Sequence, residues 1–161
     1  VQKLKEFAEK YKWYLRVFLY STAFFIFINV ATFSNKKDPE LAVTFNKNLN
    51  IINHYCTKEQ YRLPFMSSVT FGKMQIPGAI AYCEPKINGF KLVFDKRYWD
   101  TLSELNKTQL MFHEMAHCMF DEEHRDDPNH FMYYSMNEID GLYLAMQVHQ
   151  YLTNKCGAPR G

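Results

Sequence analysis

His113, Glu114 and His117 stand inside an apolar stretch, with Leu110, Met111, Phe112, Met115, Ala116, Met119 and Phe120 around them. That pattern predicts a helix buried nearly all round, and it tightly limits what the chain can fold into. Two imidazoles and a carboxyl in such a helix cost several kcal/mol unless they are paired or bound to a cation. At about 3.6 residues per turn, His113 and His117 stack on one face, and two imidazoles four apart can hold one metal ion. Glu114, beside the first, can reach a water bound to that ion. A catalytic zinc needs a third protein ligand and an open fourth position. His124 supplies the third, so the segment reads HExxHxxxxxxH. Asp121 and Glu123 on the same loop, and Glu138 further on, are rival ligands. Asn106 with Gln109 has the form of an N-cap and capping box, which predicts the helix over about 106–120.

The net charge of +2 gives no reason to expect a nucleic-acid partner. Its distribution is more informative. Residues 1–16 hold Lys3, Lys5, Lys10, Lys12 and Arg16 against Glu6 and Glu9, a net of +3, which leaves −1 for the remaining chain. Directly after this basic segment, Val17 to Asn35 contains no charged residue. As a helix those residues would span roughly 28 Å, close to the thickness of a bilayer's hydrocarbon. Trp13 and Tyr14 stand where an interfacial belt would be, and Lys36-Lys37 close the other end. Three readings compete: a single-pass anchor over 13–35, a cleaved signal peptide, and a buried helix within a larger assembly. The anchor fits length and flanks best, and the basic excess places the N-terminus in the cytoplasm with the remaining chain outside. Ser21, Thr22 and Asn29 are more at home against protein, in a virion or membrane complex. The expected division is 1–35 as basic segment and apolar helix, and 36–161 as a folded domain.

Within that domain, Pro39 precedes a helical pattern of Leu41, Phe45, Leu49, Ile52 and Tyr55. Strands are expected at Ser67–Gly72, Ala79–Cys83 and Phe90–Asp95, the last preceded by the turn signal Asn88-Gly89. A final helix is expected from Glu138 to about Thr153, with Leu142, Ala145, Met146, Val148 and Leu152 buried. The fold class is therefore α+β: helix, few-stranded mixed sheet, metal-binding helix, C-terminal helix, preceded by an apolar or transmembrane helix. Cys56, Cys83, Cys118 and Cys156 form no CxxC module; they allow three pairings, and Cys118 also reads as a small buried hydrophobe. His54, His130 and His149 have no motif around them and read as structural or surface residues.

The arrangement resembles the zincin superfamily and, within it, metzincin-like proteases. It is most similar to small metallopeptidases of bacteria and phages with a signature like F-H-E-(L/M)-(G/A)-H-C, then an H-R-D-D-like run, then S-(I/M)-M-N. Here these are Phe112 to Cys118, His124-Arg125-Asp126-Asp127 and Ser135-Met136-Asn137. The resemblance spans about 41–140. It implies a zincin-like fold, zinc held by His113, His117 and His124, Glu114 as general base, and Met136 in a turn beneath the site. The familiar metzincin pattern, HExxHxxGxxH, has a glycine where Phe120 stands, and its third histidine comes one residue earlier. If Glu138 were the third ligand instead, the site would be like that of the gluzincins.

The implied chemistry is peptide hydrolysis by a metal-activated water, with Tyr133 or Tyr134 the nearest phenols to a developing oxyanion, although a place in the core is the better expectation for both. The partners implied are a protein or peptide substrate and the membrane. Competing readings are a structural subunit that retains the fold, and a zinc amidase acting on a cell-wall peptide. The anchor makes a direct prediction: protease added outside sealed cells is expected to digest the chain after Lys36 while residues 1–12 stay protected. Full protection of the domain overturns this orientation.

Overall fold

The computed structural model describes residues 20–21, 37–61, 66–86, 89–135, 137 and 139–159. The apolar run Val17–Asn35 lies outside them except for Tyr20 and Ser21. Among the described residues no helix is long and apolar enough to cross a membrane. The chain divides after Ser34, and the second unit, from Asn35, is the subject below.

Helix α1 (Pro39–Tyr55) starts where a helix should: the Asp38 side chain caps it by accepting from the Glu40 N–H, and Pro39 opens its first turn. Leu41, Phe45 and Ile52 form its buried stripe. Strands β1 (Met66–Phe71), β2 (Ala81–Lys86) and β3 (Gly89–Phe94) follow, and a short α2 (Lys96–Trp99) comes next. The metal-motif helix α3 (Glu104–Phe120) and α4 (Gly141–Cys156) complete the unit. The sheet order is β1-β3-β2, with β1 parallel to β3 and β2 antiparallel to it. Val93 stands next to the end of β3, and a Cβ on Gly72 would meet its Cγ1 at 2.8 Å, so any larger residue there would force Val93 to shift. Trp99 anchors α2: its indole N–H donates to Glu40 at 3.0 Å, and its ring meets Phe94 at 5.1 Å and Phe71 at 6.2 Å.

Several expectations are corrected. Helix α3 begins two residues earlier than 106, because Ser103 is the cap and accepts from the Asn106 N–H. The final helix begins at Gly141, not Glu138, since Asp140 caps it by accepting from Leu142 and Tyr143. The buried stripe is Leu144, Val148, Tyr151 and Leu152, the face on which the helix docks. Leu142 and Met146 are instead 73% and 59% exposed, and Ala145 is exposed as well. Strand β2 begins at Ala81 and runs on to Lys86, with Ala79 and Ile80 in the approach to it. The last correction is Cys118, which is no free buried thiol: it is bonded to Cys83, and Cys56 is bonded to Cys156.

The Cys56–Cys156 bond closes the ends of α1 and α4 across 100 residues of chain. Such long loops lose the most freedom in the unfolded state when closed. Replacing both cysteines by serine is expected to cost about 2–5 kcal/mol, measured as a lower denaturant midpoint in non-reducing buffer with an unchanged circular dichroism spectrum.

Candidate metal centre

Helix α3 packs its apolar residues into the core and carries His113 and Glu114 in with them, at 6% and 5% exposure. One turn on, His117 lies on the same face and is half-buried. After Phe120 the helix stops at Asp121, a left-handed residue with φ 57° and ψ 38°, whose N–H bonds back to the Ala116 carbonyl. Aspartate tolerates this conformation better than most non-glycine residues. The turn made by glycine in the metzincin pattern is thus made here one residue later, by Asp121, and His124 arrives one residue later too.

The outcome is a close triangle. The Nε2 atoms of His113 and His117 lie 3.0 Å apart, and each is 3.2 Å from the Nε2 of His124. The other ring nitrogens are held from behind: His113 Nδ1 is 2.8 Å from the Phe131 carbonyl, and His117 Nδ1 is 2.5 Å from the Glu122 carbonyl. A carbonyl only accepts, so both Nδ1 atoms carry hydrogen. Burial pushes the His113 pKa down to about 4, opposed by the Phe131 bond and reinforced by the neighbouring histidines. Burial lowers that of His117 as well, against the bond to Glu122. Both rings are therefore neutral at pH 7, and both turn bare lone pairs to the shared centre. A cation at the shared centre satisfies all three nitrogens at once. Zinc held at about 2.0–2.1 Å with tetrahedral geometry sets ligand nitrogens about 3.3–3.4 Å apart, close to the spacing seen. The donor set fits.

Among the described residues this is the group of three that could hold a metal, and Asp121 and Glu123 are not in it. Met136 and Glu138 lie outside the described residues. The flanking residues of their segment help to build the loop: the Asn137 side chain donates to the Pro128 carbonyl at 2.8 Å, and Gln109 donates to the Asn137 carbonyl. Gln147 of α4 clamps the same loop from the other side. It accepts from Phe131 N–H at 2.9 Å and donates to the Asn129 carbonyl at 2.6 Å. These side chains place the Phe131 carbonyl against His113, and no motif in the sequence marks them. His130 is structural, its Nδ1 accepting from the Met132 N–H. Tyr55 and His149 share a hydrogen bond of 2.6 Å away from the cluster.

The triangle opens on a cleft of about 640 Å³. Glu114 faces it, its pKa raised to about 8 by burial and held back by a hydrogen bond from the Cys83 backbone. A divalent cation beside that carboxyl would favour its charged form. The opposite lining is the approach to β2 and β2 itself, from Ile76 to Pro85. Tyr133 and Tyr134, hydroxyl to hydroxyl at 2.9 Å, stand on the rim instead of in the core. Among the described strands β2 pairs on one side only. Asp95 N–H donates to the Ile80 carbonyl, so by alternation Tyr82 and Glu84 turn their backbone groups to β3 while Ala81, Cys83 and Pro85 turn theirs outward. The Cys83–Cys118 bond fastens this edge to the metal helix.

A buried helix with two imidazoles and a carboxyl, a third imidazole and an open sheet edge define a metal-dependent hydrolase cleft. A family model described as "Putative phage metallopeptidase" matches residues 29–140, more than half of the chain. The chain belongs to this metallopeptidase family, whose substrates are proteins or peptides. No curated protein matches it. The geometry predicts that His113→Ala, His117→Ala and His124→Ala each lose metal by elemental analysis, whereas Glu138→Ala keeps it. The reverse ranking of His124 and Glu138 would make Glu138 the third ligand.

Proposed function

We propose that the chain is a zinc-dependent endopeptidase, with His113, His117 and His124 as ligands and Glu114 as general base. The observation that carries this is the triangle of Nε2 atoms beside a buried carboxyl at the mouth of a cleft. Bound there, zinc would lower the pKa of a water toward ~7 and polarise the scissile carbonyl. Glu114 accepts a proton from the attacking water and passes it to the leaving amine. The apolar surroundings of Glu114 keep its proton affinity high enough for both transfers. The substrate backbone lies along β2 and bonds to the outward groups of Ala81 and to the Cys83 carbonyl, the Cys83 N–H being taken by Glu114. Pro85, which has no N–H to offer, ends that ladder as a donor. His113 and His117, held by the Phe131 and Glu122 carbonyls, keep their Nε2 atoms aimed at the centre through the reaction.

The sequence of 13–35, with its basic leading segment, supports membrane anchoring of this peptidase domain, 36–161, on the extracytoplasmic side. An intact Glu114 favours an enzyme over a structural subunit, since a scaffold needs no general base.

Glu114→Gln tests the reading. The variant is nearly isosteric, so it is expected to fold and to keep its zinc, with peptidase activity lower by a factor of ~10²–10⁴. Activity equal to the parent's on a competent peptide substrate would remove Glu114 from the chemistry and leave the scaffold reading in its place.

A further inference from the structure

Glu122 lines the cleft, yet its carboxylate is turned away from the metal triangle and held by three groups. Lys155 Nζ is 2.8 Å from Oε2, Arg125 Nη2 is 3.3 Å from Oε1, and the Tyr151 hydroxyl donates to Oε2 at 3.3 Å. Its side chain is only 13% exposed, unlike Asp121 and Glu123 on either side, which are exposed. The backbone of the same residue accepts the Nδ1 hydrogen of His117. Resting on the zinc reading above, we propose that Glu122 is a positioning residue of the metal centre, its pinned carboxylate holding its own carbonyl against His117 and holding the loop that presents His124.

Two features of the geometry support this. Glu122 precedes His124 and Arg125 follows it, so their ion pair closes the loop around the third ligand. Arg125 is itself fixed, its N–H donating to the Met132 carbonyl at 2.9 Å. Lys155 and Tyr151 belong to α4, and Cys156, next to Lys155, is bonded to Cys56. The support therefore comes from a part of the fold that does not line the cleft. Surface ion pairs add little to folding. Partners that orient a ligand histidine, by contrast, change metal affinity about 10–100-fold when removed.

The test is zinc affinity by chelator competition, together with the visible spectrum of the cobalt(II)-loaded protein, for the parent, Glu122→Gln and Lys155→Met. Glu122→Gln is expected to bind zinc about 10–100-fold more weakly and to shift the cobalt bands. Lys155→Met is expected to move both readouts the same way by less, and the double variant to be no weaker than Glu122→Gln alone. Folded variants with the parent's zinc affinity and cobalt spectrum overturn the proposal. So does a loss of thermal stability with both readouts unmoved, since that would be a structural role only. If Glu122→Gln fails to fold, Lys155→Met decides by the same criteria. A parent protein that binds neither metal would overturn the zinc reading itself, a different result from unaltered variants of a metal-binding parent.

Discussion

Two backbone carbonyls, those of Phe131 and Glu122, determine what the three histidines can do. By accepting the Nδ1 hydrogens of His113 and His117 they turn both Nε2 lone pairs inward, and an inward cluster of lone pairs has no stable partner except a cation. A ring flip or a change of tautomer at His113 or His117 would break one of these hydrogen bonds. The loop from Asp121 to Asn137 is accordingly fastened at many points along its length: by Gln147 at Phe131, by Met132 at Arg125, and by Pro128 at Asn137. Little of this fastening is hydrophobic. The exceptions are Met132, fully buried in the core, and the Phe131 ring, which packs against Phe112 and Tyr151 with both centroid distances 5.2 Å; together they bring the loop to the core, and the Phe131 carbonyl follows.

The second constraint joins the metal helix to the sheet. Cys118 follows His117 directly, and its bond to Cys83 fixes the edge strand beside the histidine cluster. The Cys83 backbone also bonds to Glu114. Edge strand, buried carboxyl and histidines thus share one rigid connection, the kind of fixed geometry that the proposed hydrolysis would need. The outward backbone groups of Ala81 and the Cys83 carbonyl would be an aggregation hazard on an ordinary surface. Here they line the cleft, and Pro85 blunts the far end.

What the sequence by itself determined is local. The 3.6-residue period stacks His113 over His117 whatever else the chain does, and the apolar neighbours of Glu114 require that helix to be buried. Pro39 after Asp38 starts α1 for the same kind of reason, because a cap and a restricted φ act within one turn. The tertiary structure decided whatever depends on groups far apart in the chain. Four cysteines allow three pairings, and only the docking of α3 on β2 and of α4 on α1 selects two bonds. Leu142 and Met146 have the right spacing to share a face, but α4 docks through Leu144, Val148, Tyr151 and Leu152, which leaves them outward. His124 comes within reach of His113 and His117 because Asp121 accepts a left-handed conformation and turns the chain back at the end of α3. The carbonyls that orient the rings belong to the backbone, which is the same at every residue, so no side-chain pattern could have pointed to Phe131 or Glu122.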